Sequence, residues 1–81
     1  MITLTLYSRP GCHLCDDMKT VVTRVAARTP IEMIEVDISR DAQLEARYGQ
    51  EIPVLEIDGR KIAKYRISET ELARAIDMRR I

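Results

Sequence analysis

Net charge, long apolar runs and a cysteine framework are all missing from this chain of 81 residues. Thirteen Lys and Arg are balanced by thirteen Asp and Glu, which leaves no electrostatic footprint for nucleic acid or an anionic membrane. The Arg79-Arg80 pair reads as a solvated helix end. No apolar run approaches the roughly 20 residues of a transmembrane helix. Met1 leads directly into strand-like sequence and not into a signal peptide, so a cytoplasmic location is expected. Linkers, repeats and low-complexity segments are also missing. The length fits one domain, residues 1–81, with a core near the lower limit of independent stability. There are only two cysteines, Cys12 and Cys15. In a reducing compartment such a close pair points to catalysis or metal binding more than to a structural staple.

What is present is regular local pattern. Residues 2 to 7 alternate aliphatic side chains with Thr or Tyr, the mark of a strand in or near a sheet centre. Ser8 to Gly11 reads as a loop broken by Pro10 and Gly11. From about Cys12 to Arg28, Leu14, Met18, Val21, Val22 and Val25 form a helical stripe with spacings of three and four. Asp16 and Asp17 lie early in it and Arg24 and Arg28 late, matching the helix dipole. Thr29-Pro30 stops it. Ile31 to Ile38 reads as a second strand. Asp41 to Tyr48 reads as a short helix closed by Gly49. Ile52 to Ile57 and Arg60 to Tyr65 read as two strands joined by Asp58-Gly59, a strong hairpin signal. Ser68-Glu69-Thr70-Glu71 is a capping box opening a last helix that buries Leu72, Ala75 and Ile76. The expected order is β-α-β-α-β-β-α. The first helix implies a right-handed crossover to a parallel neighbour, and the hairpin makes the last two strands antiparallel. The fold class is therefore α/β, a mixed four-stranded sheet with helices on its faces.

The cysteine pair sits where the first strand gives way to the first helix. A free thiol with a pKa of about 8.5 is only about 3% ionised at pH 7, and the thiolate is the reactive form. Free N–H groups and the positive dipole end at a helix start favour the anion. A pKa lowered to about 6.5 would make the thiolate the majority species at pH 7. A second thiol one turn later can attack a mixed disulfide and release the partner. His13 reads either as a solvent-facing residue or as a cation that stabilises the Cys12 thiolate. Arg9 reads either as an exposed loop residue or as a holder of the Cys12 anion or a substrate carboxylate. Arg47 and Gln50 read as a solvated helix end or, more weakly, as candidates for a carboxylate. Asp16 and Asp17 read as dipole complements; their charge could also slow deprotonation of Cys15. Pro53, read from the residues alone, is an ordinary strand-start proline.

Three motifs together resemble a glutaredoxin-like protein of the thioredoxin superfamily. Tyr7-Ser8-Arg9-Pro10-Gly11-Cys12 with Cys15 resembles the family's cysteine-bearing opening. Gly49-Gln50-Glu51-Ile52-Pro53-Val54 resembles the segment carrying its cis-proline, and Ile57-Asp58-Gly59 its hairpin. The resemblance covers nearly the whole chain. It implies a thioredoxin-like (glutaredoxin-type) fold, with Cys12 as nucleophile and Cys15 as resolving thiol. It also implies a cis Ile52–Pro53 bond beside Cys12, where Ile52 would pair its backbone with an extended peptide or glutathione. The implied activity is reduction of protein or glutathione mixed disulfides by a monomer with no bound cofactor. Glutathione is the candidate cosubstrate, and glutathione or a reductase the reductant. The family's Gly-Gly-x-Asp stretch before the last helix is replaced by Tyr65-Arg66-Ile67-Ser68-Glu69. There the Ser68 cap would offer a helix N-terminus to a carboxylate, with Glu69 opposing it. His13-Leu14 replaces the usual Pro-Tyr. Leu6 stands where thioredoxins carry a buried acid, and no Trp precedes the motif.

Two other function classes stay open at this point. Paired thiolates also suit a soft-metal carrier for Cu(I) or Zn. Such chains carry a Met where this one has Pro10 and end on a strand, and two cysteines leave zinc short of four ligands. The third reading is a non-catalytic module that binds partners through the Pro53 loop.

Overall fold

The computed structural model describes residues 2–79, the side chain of Arg79 excepted. Of the Arg79-Arg80 pair expected at a solvated helix end, the Arg79 side chain and all of Arg80 lie outside the described residues. The elements are β1 (Ile2–Ser8), α1 (His13–Ala26), β2 (Ile31–Asp37), α2 (Ala42–Tyr48), β3 (Val54–Ile57), β4 (Arg60–Lys64) and α3 (Glu69–Arg79). They form a mixed four-stranded sheet in the order β2-β1-β3-β4. β1 is parallel to β2, with Ile2 opposite Ile31 and Ser8 opposite Asp37. β3 runs antiparallel to β1 and β4 antiparallel to β3. No helix among the described residues is long and apolar enough to cross a membrane.

Alternation along β1 sorts the sheet into two faces. Ile2, Leu4 and Leu6 point to one side and pack with Met18, Val22 and Val25 of α1, Leu55 and Ile57 of β3, and Leu72 and Ile76 of α3. The stripe of spacing three and four seen in the sequence is thus the face that α1 buries. Tyr7 points to the other side and joins Val54, Ile38, Leu44, Tyr48 and Ile52 around α2. With helices against both faces, every residue of β3 is buried, and the strand shows no alternation of exposure.

Several boundaries differ from expectation by one or two residues. β1 includes Ser8, and α1 stops at Ala26. Ile38 does not continue β2. Ile38–Arg40 turns into one 3-10 turn capped by Asp37, whose Oδ1 accepts from the Ser39 N–H at 2.9 Å and the Ser39 hydroxyl at 2.6 Å. Those two bonds hold the Asp37 carboxyl below its usual range. The short polar side chain of Ser39 supplies a bond that competes with the sheet ladder. β3 begins at Val54 and β4 ends at Lys64, because the residues beyond them turn. In the hairpin, Asp58 (φ 50) and Gly59 (φ 86) both have positive φ, as a type I′ turn requires. The capping box forms reciprocally: Glu71 N–H donates to Ser68 Oγ at 3.0 Å, and Ser68 N–H donates to Glu71 Oε1 at 3.1 Å.

One buried acid escaped the sequence reading. Glu56 faces α2 at 8% exposure. It accepts the Tyr48 hydroxyl at 3.1 Å and the Tyr7 hydroxyl at 3.4 Å. The two rings stack with centroids 4.3 Å apart. Burial, together with the neighbouring carboxylate, pushes the Tyr48 hydroxyl up to about 12. In the unfolded chain a tyrosine ionises near pH 10. Between these values the unfolded state loses its proton first, so this contribution is complete below pH 10 and disappears as pH rises towards 12. Stability followed by urea unfolding is expected to fall across that window. Tyr48→Phe should remove the fall, while costing about 1–3 kcal/mol at neutral pH by leaving Glu56 with one donor fewer. An unchanged alkaline slope in Tyr48→Phe would refute the assignment.

Candidate functional site

Both cysteines are placed by the end of β1. After Ser8 the chain leaves the sheet through Arg9, Pro10 and Gly11, and Gly11 takes φ 79, a conformation that a side chain would disfavour. Cys12 then becomes the N-cap of α1 in an extended conformation. Its Sγ accepts the N–H of Cys15 at 3.1 Å, and its carbonyl accepts the N–H of Asp16 at 3.1 Å. One otherwise unpaired donor of the first helical turn is therefore aimed at the Cys12 sulfur. Cys12 is partly exposed, whereas Cys15 is 3% exposed and faces the core. The two are joined as a disulfide, with Cα atoms 5.2 Å apart.

The segment before β3 comes to the same end of the sheet. Tyr7 pairs with Val54 in register, which sets Pro53 beside the end of β1. Pro53 is buried, and the Ile52–Pro53 peptide bond is cis, as the resemblance implied. The Pro53 carbonyl accepts the N–H of Tyr65 at 2.9 Å. The Ile52 N–H and C=O take no backbone partner among the described residues. Ile52 itself is partly buried against the α2 side of the core.

Arg9 joins these two segments. Its guanidinium donates to the Gly49 carbonyl at 2.8 Å and pairs with Glu45 at 3.0 Å. Read either as an exposed loop residue or as a holder of the Cys12 anion or a substrate carboxylate, it is directed here at the end of α2, where it ties the cysteine loop to the chain leading into Pro53. His13 is exposed at the first position of α1. Arg47 lies over the Tyr48 ring at 5.1 Å, and Gln50 uses its carbonyl to accept the Tyr65 hydroxyl at 3.1 Å. Asp16 and Asp17 are exposed in the early part of α1.

Ser68 is not brought to the cysteines. Glu69, the next residue, pairs with Arg28 at 3.3 Å and Arg24 at 3.6 Å. Those arginines belong to the last turn of α1 and the residues just after it, so the Ser68 cap is tied to the end of α1 opposite Cys12. Its hydroxyl and N–H are both engaged in the capping box. Local spacing showed the cap correctly but carried no information on which end of α1 it would meet.

Sequence reasoning missed Ser8, Glu35 and Lys19. Ser8 is buried at 5% exposure, and its hydroxyl donates to Glu35 Oε2 at 3.1 Å. The same oxygen takes Lys19 Nζ at 3.0 Å. This cluster anchors the residue just before the cysteine loop to β2 and α1. Its sequence signal was two acids, Glu35 and Asp37, on the β2 register shared with Ile31 and Met33. Among the described residues, no group of three or more His, Cys, Asp or Glu side chains is arranged to hold a metal ion.

Comparison with known proteins agrees with this geometry. A glutaredoxin-like protein of Dictyostelium discoideum, the YDR286C homolog, is 31% identical over 77 residues, covering 88% of this chain and 71% of that protein. Among solved structures, XcR50 from X. campestris superposes with a TM-score of 0.79 at 34% identity, covering 93% of this chain and 96% of that one. A mutant thioredoxin from Halobacterium salinarum NRC-1 superposes with a TM-score of 0.70 at 22% identity, covering 95% of this chain and 73% of that one; it shares the fold. Residues 3–77 match the family profile described as a glutaredoxin-like domain (DUF836). With its thioredoxin-like sheet and its cysteine pair at the start of α1, the chain belongs to this glutaredoxin-like family.

Proposed function

We propose that the protein is a thiol–disulfide oxidoreductase. In the reduced form the Cys12 thiolate attacks one sulfur of a partner disulfide. A Cys12–partner mixed disulfide forms, and the second partner sulfur leaves as a thiolate that takes a proton from water. Cys15, deprotonated in turn, attacks the Cys12 sulfur, closes the Cys12–Cys15 disulfide and expels the remaining partner thiolate. Two electrons pass from the dithiol to the partner. Two molecules of glutathione, or one dithiol of a reductase, would return them by the reverse exchange.

The observation that carries this reading is the unequal placement of two bonded sulfurs. Cys12 is partly exposed at a helix start with the Cys15 N–H on its sulfur, while Cys15 is buried behind it. A bulky partner reaches Cys12, and Cys15 is left to react with Cys12 alone. The Ile52 backbone, unpaired beside the cis-proline among the described residues, is suited to pair with an extended peptide or with the amides of glutathione. Partner disulfides would thus be those of proteins or glutathione mixed disulfides.

The test uses the reduced protein and bis(2-hydroxyethyl) disulfide as probe. One probe disulfide is expected to be reduced for each Cys12–Cys15 disulfide formed, read by thiol release and by mass. A cysteine pair that stays reduced with no thiol released would end the proposal.

A further inference from the structure

Six cations of the described residues are matched by carboxylates. Arg9 pairs with Glu45, Lys19 with Glu35, Arg24 and Arg28 with Glu69, Arg40 with Asp37, and Lys61 with Glu51. Among the described residues Arg47 and Arg60 have no such pair, and neither do Lys64, Arg66 and Arg74, of which Lys64 holds its Nζ 5.5 Å over the Tyr65 ring. Lys64 also lies close enough to Glu51 to help lower its pKa. Lys64, Arg66 and Arg74 line one groove between β4 and α3 with a volume of about 370 Å³. Its apolar lining includes Ile62, Ala75 and Met78, the last 67% exposed. The acid in the lining, Glu71, directs Oε1 to the Ser68 N–H. The groove is thus lined by apolar side chains together with three cations and one acid.

Its position relates it to the cysteines. Lys64 pairs in register with Val54, the residue after Pro53. Tyr65, next in the chain, has φ 71 and lies inside a γ-turn closed by the Arg66 N–H on the Lys64 carbonyl at 2.9 Å. This turn is costly for a residue with a side chain. Tyr65 is 42% exposed, with its hydroxyl on the Gln50 carbonyl and its N–H on the Pro53 carbonyl. β4 is also at one edge of the sheet, with no neighbouring strand on its outer side among the described residues.

We propose that this groove docks an acidic peptide segment bearing an apolar side chain, contributed by the disulfide-bearing protein that Cys12 attacks. The apolar side chain enters between Ile62 and Met78, and flanking carboxylates meet Lys64, Arg66 and Arg74. A protein substrate then holds its disulfide at Cys12 and its acidic flank along β4 and α3. This rests on the oxidoreductase reading for the identity of the occupant. The balanced charge of the whole chain argues for a local peptide contact and against a polyanion.

The test compares the wild type with the double variant Arg66→Gln, Arg74→Gln, both positions being exposed. Two disulfide-bonded peptide substrates are used, one with Glu-Leu-Glu flanks and one with Gln-Ala-Gln flanks. For the acidic substrate, KM is expected to rise roughly tenfold in the variant with kcat unchanged, a scale set by two exposed ion pairs. The difference should shrink with added salt, and the neutral substrate should be handled equally by both proteins. Equal KM values for the two substrates in the wild type would overturn docking and leave the redox reading intact. If neither substrate is turned over, the redox reading fails, and a disulfide-free acidic peptide titrated into the oxidised protein decides the groove by amide NMR shifts. Saturable shifts confined to residues 62–67 and 71–78 support it. Shifts elsewhere, or equal shifts with an oligonucleotide or an anionic phospholipid vesicle, overturn it.

Discussion

Replacement of Cys12 by serine is expected to reduce disulfide turnover to background, while Cys15→Ser stalls after the first exchange as a stable adduct. The hydroxyl of serine has no accessible anion at neutral pH and cannot form the mixed disulfide, so removal of this sulfur removes the reaction path itself. Cys15→Ser keeps the partly exposed sulfur and the backbone N–H aimed at it, since that donor belongs to the main chain. The first step therefore survives, and the bond it forms cannot be resolved from within. Mass spectrometry should find one partner molecule attached through Cys12, released by dithiothreitol. An adduct on Cys15 in Cys12→Ser, with turnover retained, would reverse the assigned roles. Buried Cys15, at 3% exposure, gives the physical reason to expect otherwise. Cys12→Ser, at a partly exposed position, should unfold at a urea concentration close to that of the reduced wild type, whereas Cys15→Ser, which buries a hydroxyl, should unfold somewhat earlier.

The second large effect is on stability. Leu6 is fully buried in the central strand, on the face shared by α1 and α3. Leu6→Ala would remove its apolar contacts and leave a cavity, at a cost of about 3–5 kcal/mol. A domain of this length holds only about 4–12 kcal/mol in total. The midpoint of thermal unfolding should fall by roughly 15–30 °C. Circular dichroism melts of the oxidised proteins check this. A fall of only a few degrees would mean that α1 and α3 close over the gap, contrary to the packing described. Because β1 delivers the chain to Cys12, thiol exchange by the folded fraction of Leu6→Ala should persist at low temperature and vanish with the melt.

The groove and the cysteines together suggest how a small scaffold could choose substrates. Under these proposals the reacting sulfur is set by the helix start, and discrimination would lie with a surface that does not touch the chemistry. Such separation lets charge on the partner control encounter and affinity without altering the electronic demands on Cys12.

Much of this architecture was legible in local pattern. The three-four stripe from Leu14 to Val25, the strand alternation before Tyr7, the Asp58-Gly59 turn and the Ser68 capping box each involve residues within a few positions of one another. Their geometry follows from helical or strand periodicity and from the φ values that side chains allow. The cysteine spacing belongs to the same class, since the sulfur and the donor that meets it are three residues apart. Element order, the face each helix buries and the pair of sulfurs at a helix start were therefore all readable from neighbours along the chain. The destinations of distant side chains were not, and they came from packing. Arg9 meets Gly49 across 40 positions, Ser8 meets Glu35 across 27, and Tyr7 meets Glu56 across 49. Glu56 reads as a solvent-facing strand residue until two tyrosines from other elements cover it, and the Ser68 cap could have met either end of α1. Partner choice for a polar side chain depends on which elements pack together, and no local period encodes that.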